Sequence, residues 1–533
     1  MGTSNRGYAT ARSLTKSKEQ FRIELQNRLD AAKTIESRRK LGQFSTPFEL
    51  AYNIISFGLN LCNTETPLTF LDPAFGTGVF YSSLIALINP DNIAYAKGIE
   101  IDEHYGHPSQ NLWSEKNVEI QIADFTKLHP DKKFNFIICN PPYVRHHLID
   151  YDEKIRIKEK TLQNSGENLS GLAGLYCHFL LQSYQWMEED GVAGWLIPSE
   201  FMDVNYGKEI KRFLLDKVEL LRIHRFDPDD VQFDDALVSS AVVWFKKKKP
   251  NDEYSIEFSF GGNLNNPKVI REISSKTLKS ESKWTRFPLM QTRQTESEMP
   301  RIADYFDVKR GIATGSNDFF IISKQKILDL GLPVEFMRPV LPSARYVKEI
   351  EIMSDEYGNP IISEELFLID CRLSENEVQE KYPALWKYFE QGRKTVSSGY
   401  LCKTRKCWYY QEQREAPPIV CTYMGREKSN GNMAFRFILN HSNAVVTNSY
   451  LALYPKDNLK RAFVEKPELK RCIWTMLNSL TSESITAEGR IYGGGLKKIE
   501  PSELLNVPLP QMRETLPPNN SQPNWTQLSL FDS

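Results

Sequence analysis

Four short apolar runs constrain this chain more than anything else in it. LTFLD, AYAKGIEID, VEIQIADF and FNFIICN follow one another between Leu68 and Asn140, each closing on an acidic or amide side chain. Runs of this length, rich in Phe, Ile and Val, are expected to be buried strands. The segments between them carry helical spacing, and strands alternating with helices predict a doubly wound parallel sheet. Further strands are expected at GVAGWLIPSEF, VELLRIHRF and ALVSSAVVWF, with an amphipathic helix at GLYCHFLLQSYQWM.

In such a sheet, ligands bind at the carboxyl ends of the strands. The polar residues closing these runs therefore form one constellation. DPAFGTG, Asp72 to Gly78, opens a helix with a glycine loop that lets backbone approach a ligand. Glu100 closes the next strand, where an acid can hold ribose hydroxyls. Asp124 closes the third and is placed to accept from an amino group. So many acids argue against a pyrophosphate and for a ligand bearing an adenosine and a positive charge. S-adenosylmethionine, with its sulfonium and ammonium groups, fits.

The fourth run ends in CNPPYVRHH, Cys139 to His147. Pro141 and Pro142 stiffen the turn and remove two N–H donors. Tyr143 adds a flat face with a polar tip. The Asn140 amide oxygen and the Pro141 carbonyl are acceptors able to hold both hydrogens of an aromatic amine.

GQFSTP, DPAFGTG, GIEID, ADF and NPPY, in this order, resemble the gamma-class DNA adenine amino-methyltransferases of type II restriction–modification systems. The resemblance spans roughly residues 40–515, and its specificity lies in the combination. It implies a Rossmann-like doubly wound methyltransferase sheet followed by a mixed α/β target-recognition domain. It also implies cofactor contacts from Thr46, Asp72, Ala74, Gly76, Gly78, Glu100, Asp124 and Asn140, although Pro73 and Phe75 depart from a fully glycine-rich loop. Asn140, Pro141 and Tyr143 are the expected catalytic residues. A flipped adenine would stack between Tyr143 and Phe233, the latter otherwise an ordinary loop or core phenylalanine. The implied activity is methylation of the adenine amino group in double-stranded DNA, protecting host sites from a cognate restriction endonuclease. Transfer to the cytosine amino group, to RNA, or to a protein amide remains open on the same residues, as does a non-catalytic DNA-binding protein.

The expected domains are a basic helical arm (1–40), the methyltransferase domain (41–250), the target-recognition domain (251–515) and a flexible tail (516–533). The arm carries ten Lys or Arg against four Asp or Glu. It either touches phosphate or forms a solvated amphipathic helix. Lys246 to Lys249 with Pro250 mark the expected end of the sheet. Beyond it the chain is richer in aromatics and basic turns, with Arg310, Thr314, Lys406, Arg426, Arg490 and Lys497 as DNA-contact candidates beside Arg145. The terminal Gln527, Leu528, Leu530 and Phe531 resemble the peptide by which bacterial proteins dock on the sliding clamp.

Net charge is −1, so the chain is no polycation overall. Its eight cysteines form no CxxC pair, and His441 is the one histidine in the C-terminal half, so no metal site is expected. No apolar run is long enough to span a membrane, and the N-terminus has no signal-peptide core. A cytoplasmic protein is the expectation. No Asp…Glu-x-Lys cluster marks a fused nuclease.

Overall fold

A computed structural model describes residues 4–63, 66–227, 239–288, 299–427, 434–492 and 495–512. Phe233 and the segment from Gln527 to Phe531 lie outside them. The chain divides into two compact units, one made mainly of residues up to 291 and one mainly of residues from 292.

The first unit is built on nine strands: β1 (Leu68–Asp72), β2 (Ile93–Glu100), β3 (Val118–Ile122), β4 (Phe134–Cys139), β5 (Met187–Pro198), β6 (Glu219–Arg225), β7 (Ser240–Lys246), β8 (Ser255–Gly262) and β9 (Pro267–Ser274). Their order is β3-β2-β1-β4-β5-β7-β6-β8-β9. The first five run parallel, while β7 is antiparallel to both β5 and β6. From β1 the chain winds outward to β2 and β3, then returns to add β4 on the other side of β1. Strand order reverses between β1 and β4, and that is where an open α/β sheet opens a crevice.

The helices among the described residues that accompany these strands include α1 (Ser4–Ala31), α2 (Ile35–Leu41), α3 (Phe48–Leu59), α4 (Val79–Leu87), α5 (Glu103–Trp113), α6 (Tyr151–Ser165), α7 (Leu175–Gln182) and α8 (Lys208–Asp216). On β1, β4 and β7 side chains alternate between two cores, as the period of two requires. Phe70, Phe136, Ile138, Val242 and Trp244 face one core with Ile54 of α3 and Leu84 of α4. Leu71, Ile137, Cys139, Val243 and Phe245 face the other with Leu180 of α7 and Phe213 of α8. Burial on both faces is why these strands are continuous apolar runs in the sequence.

The sheet does not stop at the lysine run, so the expected boundary at residue 250 is corrected. β8 pairs with β6 in parallel and β9 with β8 antiparallel. Ile256, Phe258, Trp284 and Phe287 belong to the first unit's core. The lysines are tied back instead: Lys247 is buried, reaching Glu189 at 3.1 Å and the Met187 carbonyl at 3.1 Å. Without β8, β6 would be an open edge, and covering such an edge removes a pairing hazard.

The expected N-terminal arm is helical, but its described part is not a free arm. Glu19 and Arg22 of α1 are buried, and Arg22 bonds Thr77 at the start of α4.

The second unit holds a five-stranded sheet, ordered Phe306–Arg310, Tyr450–Pro455, Ile419–Thr422, Phe437–Asn440 and Glu351–Ile352, and two three-stranded sheets. Val308, Ile419, Leu439 and Leu453 pack against the helices Asp457–Glu465 and Glu468–Asn478, giving the mixed α/β character expected. Among the described residues no helix is long and apolar enough to cross a membrane.

If β8 is integral to the first unit, Phe258→Ala, at a position 1% exposed, lowers its unfolding free energy by about 3–5 kcal/mol. Denaturant titration followed by tryptophan fluorescence measures this. A change below about 1 kcal/mol would place β8 outside the cooperative unit.

Candidate active site

Asn140 stands directly after β4. The LGQFSTP segment lies against the NPPY turn, and one glycine allows it. Gly42 caps α2 at φ +67, and a Cβ there would sit 2.5 Å from the Tyr143 nitrogen. Its carbonyl accepts the Tyr143 N–H at 3.4 Å. This contact brings Phe44 and Thr46 to Asn140. The Asn140 amide nitrogen donates to Thr46 Oγ1 at 2.9 Å and to the Phe44 carbonyl at 3.3 Å. Two acceptors on one side of the amide assign its orientation. The other side, Oδ1, is buried and has no partner among the described residues. A buried acceptor left unsatisfied costs about 1–3 kcal/mol, so it needs an explanation.

Tyr143 is held too. Its hydroxyl donates to the Leu196 carbonyl of β5 at 3.0 Å, and its ring lies 5.9 Å from that of Phe44, tilted by 37°. Burial pushes its phenol well above the ordinary range, so it stays protonated.

The neighbouring strand β1 delivers Asp72, which is wholly buried. Its Oδ1 accepts the Ala74 N–H at 3.1 Å, while Oδ2 has no partner among the described residues. Gly76 adopts φ +56, and the place a Cβ would take is open space. Its N–H donates to Glu100 Oε2 at 2.8 Å, and the Asp102 N–H donates to Oε1 at 2.9 Å. Asp124 follows β3 and caps the turn Phe125–Lys127, accepting from the Thr126 N–H at 2.9 Å and hydroxyl at 2.7 Å. Arg156 of α6 lies 3.7 Å from its second oxygen.

These groups share one cavity of about 380 Å³, lined among others by Thr46, Asp72, Ala74, Gly76, Glu100, Asp124 and Asn140. The expected cofactor residues are thus brought together, with two refinements. Gly78 starts α4 and does not line the cavity. Thr46 lines it with a hydroxyl already accepting from Asn140. Arg22, Gln26 and Asp30 of α1 form a further wall. Helical spacing marks α1 as amphipathic but carries no signal of what its face meets.

The electrostatics of the cavity are one-sided. Burial, with a smaller contribution from Glu100, pushes the Asp72 carboxyl up to about 8 against the opposing Ala74 N–H. Burial raises Glu100 as well. Neither carboxyl pairs with a cation in the described structure. A positively charged ligand would relieve both.

In the second unit the candidates separate. Arg310, Lys406 and Arg426 are exposed, and the Arg310 guanidinium lies 4.1 Å over the Tyr423 ring. Thr314 is corrected: it is 2% exposed, and its hydroxyl bonds Asn317 at 2.6 Å and the Ser316 N–H at 3.2 Å, shaping a turn. Arg490 pairs with buried Glu503 at 2.8 Å, and Lys497 pairs with Glu427, so both are engaged within the fold. Arg145, in the first unit, is exposed directly after the NPPY turn.

A raised carboxyl destabilises the fold once it ionises. Asp72 is protonated in the folded chain and ionised in the unfolded chain between about pH 4 and 8. The unfolded state then binds fewer protons, and stability falls as pH rises through that window. Asp72→Asn removes this dependence, so its stability relative to the native protein increases from pH 5 to pH 8 in paired urea titrations. Parallel pH curves would place Asp72 in a solvated site.

Two family models match the chain. The Eco57I restriction-modification methylase model covers residues 49–232, and the type II methyltransferase M.Eco57I C-terminal domain model covers residues 281–528. Similar proteins include the type II methyltransferase M.AccI of Acinetobacter calcoaceticus, 27% identical over 88% of this chain and 85% of that one. M.XamI of Xanthomonas campestris pv. amaranthicola is 25% identical over 89% and 86%. Among solved structures, the type IIL restriction-modification enzyme MmeI in complex with DNA matches the fold with a TM-score of 0.51 at 14% identity. That match covers 81% of this chain and 65% of MmeI. With the methylase model on the first unit and the M.Eco57I C-terminal model across the second, the chain belongs to the type II restriction–modification methyltransferases.

Proposed function

We propose that the chain methylates the exocyclic amino group of adenine in double-stranded DNA, using S-adenosylmethionine, at a sequence read by its second unit. The observation that carries this reading is Asn140 Oδ1, a fixed, buried acceptor without a donor among the described residues, in a cavity where the buried carboxyls of Asp72 and Glu100 pair with no cation among those residues. The residues fit the cofactor. Asp72 and Glu100 offer negative charge to its ammonium, sulfonium and ribose; Ala74 and Gly76 offer close backbone; Asp124 offers an acceptor to its adenine. When bound, the cofactor supplies an electrophilic methyl group.

The chain's own work is to make a poor nucleophile competent. An aromatic amine has its lone pair delocalised into the ring. Asn140 Oδ1 and the Pro141 carbonyl accept its two hydrogens and favour a more tetrahedral nitrogen. They also stabilise the positive charge that develops there. The bonds from Asn140 to Thr46 and Phe44 fix that acceptor beforehand. No base is needed before attack, and the surplus proton leaves afterwards.

A base in a duplex cannot reach this pocket, so it must be flipped out. Tyr143, anchored through Leu196, gives the flipped base a platform, and stacking is worth about 1–3 kcal/mol per base. Phe233 is proposed as the second face. Arg145, Arg310, Lys406 and Arg426 are exposed cations suited to phosphate or base contacts. The names of the relatives and the DNA in the MmeI complex support a DNA substrate and protection against a cognate nuclease. A cytoplasmic setting and clamp docking through the segment from Gln527 to Phe531 belong to the same reading.

Incubation with methyl-labelled S-adenosylmethionine and DNA of varied sequence, followed by nucleoside analysis, tests it. Label is expected in methyladenine at one short sequence. Asn140→Ala should lower kcat at least about 100-fold, the loss typical of one such acceptor or donor, measured at saturating cofactor. Label in methylcytosine would overturn the base assignment; label in RNA or protein alone would overturn the DNA reading. Because the cofactor favours ionised Asp72, its affinity should rise with pH up to about 8 and Asp72→Asn should flatten that slope. Calorimetry across pH 6–9 measures it.

A further inference from the structure

The N-terminal helix has its polar face buried and an aromatic exposed, the reverse of simple packing. Phe21 is 64% exposed, while Arg22 is 4% and Glu19 8% exposed. Arg22 and Glu19 form a two-pronged pair, with Nη2 to Oε1 at 2.7 Å and Nε to Oε2 at 2.9 Å. Glu19 also accepts from the Ser82 hydroxyl of α4. The remaining prong, Arg22 Nη1, donates to Thr77 Oγ1 at 2.9 Å, and that hydroxyl donates to Gln26 Oε1 at 2.6 Å. Gln26 donates on to Asp30 at 2.9 Å, and Asp30 accepts from Tyr105 of α5 at 2.7 Å. Residues 19, 22, 26 and 30 lie on one helix face by their spacing.

This chain ends on the glycine loop. Thr77 lies between Gly76, whose N–H bonds Glu100, and Gly78, which opens α4. Apolar packing fixes distance loosely; hydrogen bonds fix direction. Arg22 lines the cavity, but its Nε, Nη1 and Nη2 each donate within the network, so it acts on a ligand through the position of the loop. Its pairing with Glu19 adds no net charge, so the demand of Asp72 and Glu100 for a cation is left intact.

We infer that Arg22 is a positioning residue for the cofactor: it holds Thr77, and through it the glycine loop, in the conformation that receives S-adenosylmethionine. This rests on the cofactor reading above. The test uses the full chain with Arg22→Ala, Arg22→Lys and Thr77→Val. Each is titrated calorimetrically with S-adenosylmethionine and S-adenosylhomocysteine, and assayed for methyl transfer to DNA.

Arg22→Ala and Thr77→Val are expected to weaken both ligands, and to raise KM for the cofactor, by about tenfold, the scale of one charge-assisted hydrogen bond. At saturating cofactor, kcat and KM for DNA should stay within about twofold, since Asn140 and Tyr143 are untouched. Arg22→Lys, which keeps a donor but loses the fork, should recover part of the loss. Unchanged cofactor affinity in Arg22→Ala and Thr77→Val overturns the inference. So does a joint fall of kcat, both KM terms and melting temperature in both variants, which marks a purely structural network. A native protein that binds neither ligand overturns the cofactor reading itself, whatever Arg22→Ala does.

Discussion

Everything in the site follows from β1 and β4 being neighbours. Phe70 pairs with Phe136 and Leu71 with Ile137, in parallel. Both strands therefore end on the same edge, and Asp72 and Asn140 emerge there together. The residues between them wind out through β2 and β3, which bring Glu100 and Asp124 to that edge as well. At a reversal of strand order the two connections leave for opposite faces of the sheet, so the strand ends open into a crevice. Four polar side chains from four strands converge because the sheet permits one such place.

Convergence is costly, and the cores on the two faces of the sheet sustain it. Asp72 Oδ2 and Asn140 Oδ1 are both buried without a donor among the described residues. Each such atom costs about 1–3 kcal/mol. The strands beneath them alternate residues between two apolar cores that include Trp195 and Trp244, both fully buried. The cores fix the strand ends, and the bonds on Asn140 Nδ2 and Asp72 Oδ1 hold each side chain in its orientation. Gly42 extends the same rigidity to the LGQFSTP segment: its backbone lies too close to Tyr143 for any other residue. The resulting pre-orientation is what a methyl-transfer site requires, because acceptors placed beforehand cost no reorganisation at the moment of reaction.

The parts of this design that were legible in the sequence are the local ones. A strand end, its closing acid and its turn lie within ten residues, so DPAFGTG, GIEID, ADF and NPPY each announce their own geometry. The features that were not legible depend on what a segment meets. Periodicity shows that α1 has two faces, but the partner of Arg22 is Thr77, far along the chain. The lysine run before Pro250 resembles the end of a sheet because lysines favour solvent. Only the pairing of β8 with β6 shows that the sheet continues. Thr314 sits in a basic, polar stretch, yet its hydroxyl closes a turn on Asn317. Arg490 and Lys497 are basic residues beside a glycine run, and their charges are taken by Glu503 and Glu427 from elsewhere in the fold. Basic composition locates a charged region without saying which charges remain available.

The three strand-end acids are also not equivalent, although the sequence presents them alike. Asp72 and Glu100 are buried with only backbone N–H donors, and burial raises both. Asp124 has the Thr126 hydroxyl and N–H on one oxygen and the Arg156 guanidinium 3.7 Å from the other. Its charge is already balanced within the fold. At an effective dielectric constant of about 20, a unit charge 4 Å from a carboxylate interacts by about 4 kcal/mol. A cation beside Asp72 and Glu100 favours their ionised forms and offsets part of the cost of burying them; beside Asp124 it meets Arg156. The cavity is therefore polarised along β1-β2-β3, cation-seeking at one end and neutral but hydrogen-bonding at the other. A ligand with a positive group and an uncharged heteroaromatic amine, joined by a hydroxylated linker, matches that gradient in one orientation. A dinucleotide with its pyrophosphate would bring negative charge against two buried carboxyls and oppose the ionisation of both.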